Sequence, residues 1–135
     1  MRSAADRPDA PAPLRRSHEP PDVIARRGWR YHHLGIPTNV PRANETYLEQ
    51  YGLHVSGFPT SPYGIEWMRF EASSALHPLI KSLPHVAFEV DDLDSALIGQ
   101  DVISPPGSPS DGVRAAMILV DGAPVELIWF RKQGG

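Results

Sequence analysis

Four residues of the types that bind metal ions lie in apolar, strand-like stretches of this sequence: His33, Glu66, His85 and Glu126. Imidazole nitrogens and carboxylate oxygens suit zinc, nickel, cobalt, manganese or ferrous iron. The chain contains no cysteine, which excludes a thiolate metal site, a cysteine nucleophile and a disulfide framework. We therefore predict one divalent ion held by these four side chains, with the identity of the metal left open.

Three of the four ligands also have an alternative interpretation or a weaker assignment. Glu126 stands in a run of Val, Leu, Ile, Trp and Phe, where an unpaired carboxylate is costly and a metal ion removes the cost. A salt bridge to an arginine such as Arg114 would satisfy it too. His33 taken alone fits a hydrogen-bonded histidine. Glu66 is the least specific ligand, because Glu71 lies close by in the sequence.

An internal repeat predicts how these residues are positioned. Residues 33–39 resemble residues 85–91, and both are short β-rich runs that begin at a histidine. Each run leads into a predicted helix, at residues 40–51 and 93–98. Each half then closes on a strand that carries a glutamate, 64–70 in the first and 125–130 in the second. A strand–helix–strands unit used twice is the simplest account, and a chance match of short strands is the alternative.

Alternation along these strands separates the ligands from the core. Residues i and i+2 of a strand share a face, so His33 lies opposite Leu34 and His85 lies opposite Val86. Glu126 shares its face with Ile128 and Phe130 by the same rule. Turn-rich residues 105–112 and the pair at 121–122 predict a hairpin and a tight turn between the last three strands.

Length and charge bound the organisation of the chain. The 135 residues suit a single domain, which we place at residues 29–132 with halves at about 29–82 and 83–132. Residues 1–28 are rich in proline and arginine and are predicted to be a disordered leader without a secretory signal. The remaining body is acidic, which argues against nucleic acid as a partner. No apolar run is long enough for a membrane span, and we expect a cytoplasmic protein.

At these residues the sequence resembles the vicinal oxygen chelate superfamily, which includes glyoxalase I, methylmalonyl-CoA epimerase, extradiol dioxygenases and bleomycin-resistance proteins. Residues 33–36 (HLGI) are similar to the first-strand motif of the family, and residues 84–93 (PHVAFEVDDL) to the start of its second module. Residues 125–127 (VEL) resemble the closing strand. Residues 64–68 (GIEWM) look most like the epimerase branch.

The resemblance implies an α+β fold of paired βαβββ modules that form a cup around one divalent metal, usually in a homodimer. The first module is shortened, since residues 52–66 leave room for one strand where family members fit two. No residue here matches the catalytic glutamate that the epimerase branch takes from that region. One chain with a shortened module is expected to leave the cup open, which favours a dimer.

The resemblance also implies a reaction. Such an ion binds two oxygens of a small substrate as a Lewis acid, and a nearby carboxylate moves the proton on the adjacent carbon. Glu126 and Glu66 are both candidate catalytic bases for an isomerase, epimerase or lyase. One alternative is an extradiol-type dioxygenase that uses only His33, His85 and Glu126. Another is a resistance-type protein that binds small molecules, with aromatic residues lining the pocket or lying in the core: Trp29, Tyr63, Trp67 and Trp129.

Overall fold

The structure is a computed structural model that describes residues 14–132. In that range no helix has the length and apolar character to cross a membrane. The strands and helices are α1 (Val23–Arg27), β1 (Arg30–Pro37), β2 (Thr46–Leu48), β3 (Leu53–Ser56), β4 (Ile65–Phe70), α2 (Pro78–Ser82), β5 (His85–Glu89), α3 (Leu93–Ala96), β6 (Asp101–Gly107), β7 (Val113–Val120) and β8 (Ala123–Phe130). Two short 3-10 helices, Glu49–Tyr51 and Phe58–Thr60, follow β2 and β3.

The eight strands form one sheet in the order β2-β3-β4-β1-β5-β8-β7-β6. Each half is built in the same way: its first strand runs parallel to its last, and the other pairs are antiparallel. The two halves join through β1 and β5, which are antiparallel. The halves are therefore related by an approximate twofold axis between β1 and β5, and the predicted repeat is confirmed.

The first half has all four strands and lacks the helix. The predicted helix at residues 40–51 is wrong, because this stretch contains β2 and a 3-10 helix instead. Pro41 disfavours helical geometry at Val40, and Asn44 adopts a positive φ of 62°. The first half is shortened, as predicted, but the missing element is the helix and not a strand.

The second half is a complete βαβββ unit. The predicted helix after Asp92 is confirmed as α3, and the Asp92 side chain accepts a hydrogen bond from Ser95 N at its start. The outer sheet face packs on α3, and its buried cluster consists of Val90, Leu93, Ala96, Ala116, Ile118 and Leu127. The predicted turn at 121–122 joins β7 to β8, with both residues at positive φ.

One short helix lies within the range of the predicted leader. Helix α1 lies inside residues 1–28 and ends at Gly28, which adopts a left-handed conformation. The N–H of Trp29 donates to the Ile24 carbonyl oxygen, which ties this helix to the start of β1. Residues 1–13 and 133–135 lie outside the described part of the chain, and the division into a leader and a single domain stays a prediction.

The two edges of the curled sheet meet across the mouth of the cup. Gln50 Nε2 in the first half donates a 2.6 Å hydrogen bond to the Ser108 carbonyl oxygen in the second half. Gly107 lies against the Tyr51 hydroxyl, since a Cβ added at Gly107 would be 2.6 Å from it. One chain thus bridges its own cup, which removes one reason for expecting a dimer. The dimer itself stays a prediction.

Candidate metal centre

The twofold relation between the halves brings the four predicted ligands to one region of the inner face. In the first half Glu66 pairs with Gly35, the residue two places after His33. In the second half Glu126 pairs with Ala87, the residue two places after His85. The same spacing and register are used twice, so the four ligands converge although they are spread over 94 residues of sequence (from 33 to 126).

Three of the four ligands form a tight group. Ligand atoms of His33, His85 and Glu126 all lie within 4.8 Å of one another. Glu126 Oε1 is 3.0 Å from His85 Nε2 and 3.5 Å from His33 Nε2. Both histidines are buried. This is a group of two imidazoles and one carboxylate with spacing suited to a single ion.

Glu66 lies beside this group and faces the same space. Its Oε1 is 4.0 Å from His33 Nε2, and its side chain is 21% exposed. The other nearby glutamates are engaged elsewhere: Glu71 contacts His54 at 2.6 Å, and Glu89 pairs with Arg30. The role of Glu66 as fourth ligand stays a prediction, and its position allows it.

The chemistry of the group fits a divalent cation. His33 Nε2 is buried and has no hydrogen-bond partner in the described part of the chain, although two carboxylate oxygens lie within 4.0 Å of it. A buried nitrogen in this situation is costly unless something binds its lone pair. A divalent ion would do so and would also balance the charges of Glu66 and Glu126.

The two carboxylates are in different electrostatic environments. Burial disfavours the charged form of Glu126, but the contacts with His33 and His85 outweigh it and hold the pKa of Glu126 well below the usual value. Burial raises the pKa of Glu66, because the attraction of His33 does not compensate for it. Burial also disfavours a charged His33, yet Glu126 raises the pKa of His33 overall.

His32 contacts His33 beside the centre and also lines the cavity. Its Nδ1 lies 2.8 Å from Nδ1 of His33, which leaves Nε2 of His33 for a ligand. The His32 ring stacks on Phe58 and contacts Phe130, with ring centres 5.0 and 5.2 Å away. His32 is not among the ligands predicted from the sequence, and its adjacency to His33 is the signal that could have indicated this role.

Gly35 is required by the position of His85. A Cβ built on Gly35 would lie 2.7 Å from His85 Nε2 and 2.7 Å from Met68 Sδ. Atoms that are not bonded do not approach so closely, and the surrounding β-sheet leaves the backbone little freedom to move. A small residue at this position is therefore part of the site.

The alternative salt bridge between Glu126 and Arg114 is excluded, since Arg114 pairs with Asp94.

A cavity of about 280 Å³ opens over the centre and is lined by His33, Glu66 and Glu126. None of the four aromatics suggested by the sequence lines it. Trp29 and Trp129 pack on the outer core cluster, Tyr63 is exposed, and Arg42 stacks on Trp67. The aromatics that do line it are Tyr51, Phe58 and Phe130. Phe130 was predictable, because it shares a strand face with Glu126.

Comparison with known proteins identifies the fold. No family model matches the chain, and no curated protein matches it. A hypothetical protein from Bacillus halodurans has a similar structure, with a TM-score of 0.61 and 15% identity over 79% of this chain and 98% of that one. Methylmalonyl-CoA epimerase from Mycobacterium tuberculosis is also similar, with a TM-score of 0.56 and 19% identity over 77% and 89% of the two chains.

The strand order and these similarities define the class of fold. The chain has the cup fold of these structures, as its sequence predicts, with a complete βαβββ unit in the second half and the four strands without the helix in the first. At 15–19% identity the similarity establishes the fold alone. A group of His33, His85 and Glu126 at its centre has the composition and spacing to hold a metal ion.

Proposed function

We propose that the protein is a metal-dependent enzyme that moves a proton on the carbon next to a carbonyl group, as an isomerase, epimerase or lyase. The observation that carries the proposal is the convergence of His33, His85 and Glu126 within 4.8 Å, beside a cavity that Glu66 also faces. A bound divalent ion would supply Lewis acidity that makes the neighbouring C–H bond easier to ionise. One of the similar solved structures is an epimerase, which supports this class of reaction.

The two glutamates are assigned different roles on geometry. Glu126 contacts both histidines and therefore acts as a ligand. Glu66 lies outside that tight group, lines the cavity and is more exposed than Glu126, at 21% against 14%. A base must reach both the centre and the substrate carbon, which Glu66 is placed to do. We therefore assign Glu66 as the proton-transfer base, with the option of also approaching the ion.

Solvent exchange tests this assignment without knowledge of the substrate. The cobalt- or zinc-loaded protein is incubated in D2O with a panel of small hydroxyketones and 2-substituted oxo acids, and loss of the C–H proton signal is followed by NMR. Glu66→Gln should abolish exchange while keeping the metal, and Glu126→Gln should lose the metal. Glu71→Gln is the matched control, since Glu71 is on the same segment but contacts His54. Equal exchange in Glu66→Gln and the wild type would contradict the assignment of Glu66.

A second candidate function is an extradiol-type dioxygenase. The observation that favours it is the composition of the tight group, two histidines and one carboxylate, which is the triad of many non-haem iron oxygenases. Iron-loaded protein with catechols should then consume oxygen, and Glu66→Gln should not abolish the consumption. Lack of both exchange and oxygen uptake would favour the third reading, a protein that binds a small molecule without transforming it.

A further inference from the structure

The walls of the cavity are mostly apolar beyond the metal centre. Beyond the tight group, the inner faces of both halves contribute aliphatic, thioether and aromatic side chains, among them Leu53, Val55, Met68, Met117, Ile128 and Phe130. Such walls gain free energy by contact with an apolar ligand body, at about 25 cal/mol per Å² removed from water. Contact with the same walls does not stabilise a charged ligand body.

Apart from histidines, no basic side chain lines the cavity in the described part of the chain. Neither lysine nor arginine is among the residues that line it. Nearby arginines are engaged on the outside, where Arg69 forms two hydrogen bonds with Glu45 and Arg30 pairs with Asp91. A second anionic group on a ligand would therefore be desolvated without a partner, which is costly.

The cavity is also small. Its volume of about 280 Å³ is at the lower end of the ~300–1,000 Å³ typical of small-molecule sites. The bridge from Gln50 to Ser108 crosses the mouth. At the rim the polar side chains are Tyr51, Ser104 and Ser110, all uncharged at neutral pH. A phosphorylated ligand group would find no lysine or arginine among the lining residues.

We infer that the substrate of the proposed enzyme carries, beyond its oxygen-bearing end, a compact, uncharged and apolar body of about the size of a phenyl ring or a short branched alkyl chain. This inference rests on the proposed function for the oxygen-bearing end of the molecule. The apolar body follows from the walls alone, so the two parts are tested separately.

The oxygen-bearing end is represented by hydroxamates, which bind metal ions through two adjacent oxygens. Binding of acetohydroxamate, benzohydroxamate and 4-carboxybenzohydroxamate to the cobalt-loaded protein is measured from the cobalt absorption spectrum. Benzohydroxamate should bind at least about tenfold tighter than acetohydroxamate, because its ring buries apolar surface. The added carboxylate should weaken binding by at least about tenfold. Tighter binding of the carboxylated ligand would overturn the inference.

The walls are tested by placing a cation in them. Val113→Lys and Leu48→Lys change two half-buried residues that line the cavity from opposite halves and hold no metal. Either variant, if folded and cobalt-loaded, should prefer 4-carboxybenzohydroxamate to benzohydroxamate. An unchanged preference in both variants would mean that the ligand body lies outside the cavity, against the inference.

A metal-free pair of ligands separates failure of the inference from failure of the proposed function. If cobalt does not bind, the metal centre is wrong, and the walls are then tested on the protein as purified with acetophenone and 4-acetylbenzoate by NMR titration. Preference for acetophenone supports the apolar site. Preference for 4-acetylbenzoate, or no shift of cavity residues with either ligand, overturns it.

Discussion

His33 and His85 occupy equivalent positions on the two central strands: each pairs with the small residue two places after the other, His33 with Ala87 and His85 with Gly35. Their ring centres are 5.5 Å apart, and the angle between the ring planes is 80°. Small residues at these two pairing positions leave space on the inner face for the rings. The register of one strand pair thus positions half of the metal centre.

This relation predicts that Gly35→Ala damages the metal centre. The new Cβ would overlap the His85 ring and Met68, so His85 must move. We expect metal affinity to fall at least about tenfold, by analogy with changes to groups that orient ligands. Gly107→Ala is the matched control, because that Cβ meets only the end of the Tyr51 side chain. Equal zinc affinities for the two variants, measured by competition with a chelator, would contradict the prediction.

His32 is expected to act as a positioning residue for His33. Loss of the contact between the two Nδ1 atoms should leave the His33 ring free to reorient and should lower metal affinity by about 10- to 100-fold. His32→Phe keeps the ring against Phe58 and removes the nitrogen. His32→Asn loses the ring but keeps a polar atom near the Nδ1 position. Higher cobalt affinity in His32→Asn than in His32→Phe supports the role, and the reverse order would show that ring packing matters more.

Glu126 and Glu71 each contact a histidine, but their substitution should affect metal affinity differently. Glu126→Gln removes a charged ligand from a buried centre and should lower metal affinity by more than the about 10- to 100-fold expected for a supporting group. Glu71→Gln removes a partially exposed contact of His54 and should leave metal affinity unchanged. Calorimetric titration with zinc measures the affinity of both variants. A larger loss of affinity in Glu71→Gln than in Glu126→Gln would contradict the prediction.

Glu45 lies in the segment that replaces the missing helix, and its contribution to the stability of the fold is expected to depend on pH. Arg69 binds Glu45 at 2.7 and 2.9 Å and holds the pKa of Glu45 at about 2, below its ordinary value of 4.5. The folded state therefore favours the ionised form, and this stabilisation is present above pH 4.5 and lost as the pH falls towards 2. Glu45→Gln should lower the melting temperature at pH 7, and the difference from wild type should shrink below pH 4.5.

The control for Glu45 is an exposed ion pair. Arg16 and Glu19 form a salt bridge with side chains 90% and 44% exposed, where such pairs contribute little. Glu19→Gln should change the melting temperature by less than Glu45→Gln at pH 7. A Glu45→Gln deficit that is the same at pH 3 and pH 7 would mean that the charge of Glu45 does not stabilise the fold.

Much of the fold could be predicted, because its repeat is visible in the sequence. The histidine that begins each half, the cap at Asp92 and the turn at 121–122 are local signals, and the structure confirms the elements that they predict. The predicted helix at residues 40–51 is wrong because the apolar pattern spans Pro41 and Asn44, whose backbone preferences oppose a helix. The positive φ of Asn44 and the restriction that Pro41 places on Val40 outweigh the weak apolar pattern there.

The site was predictable in composition but not in detail. Residue types and strand faces indicated His33, His85 and Glu126. The cavity walls were not predictable, because they combine residues from both halves whose inward direction depends on the curl of the sheet. Of the two alternatives for Trp129, pocket or core, strand alternation favours the core, because it places Trp129 opposite Glu126 and Phe130.

Metal stoichiometry tests the central claim most directly. The protein is dialysed against zinc or cobalt, and the bound metal is measured by mass spectrometry for the wild type and for the His33→Ala, His85→Ala double variant. We predict one ion per chain in the wild type and almost none in the double variant, because the two buried imidazoles belong to the tight ligand group. Equal metal content in two folded proteins would show that the ion binds elsewhere and would contradict the metal centre.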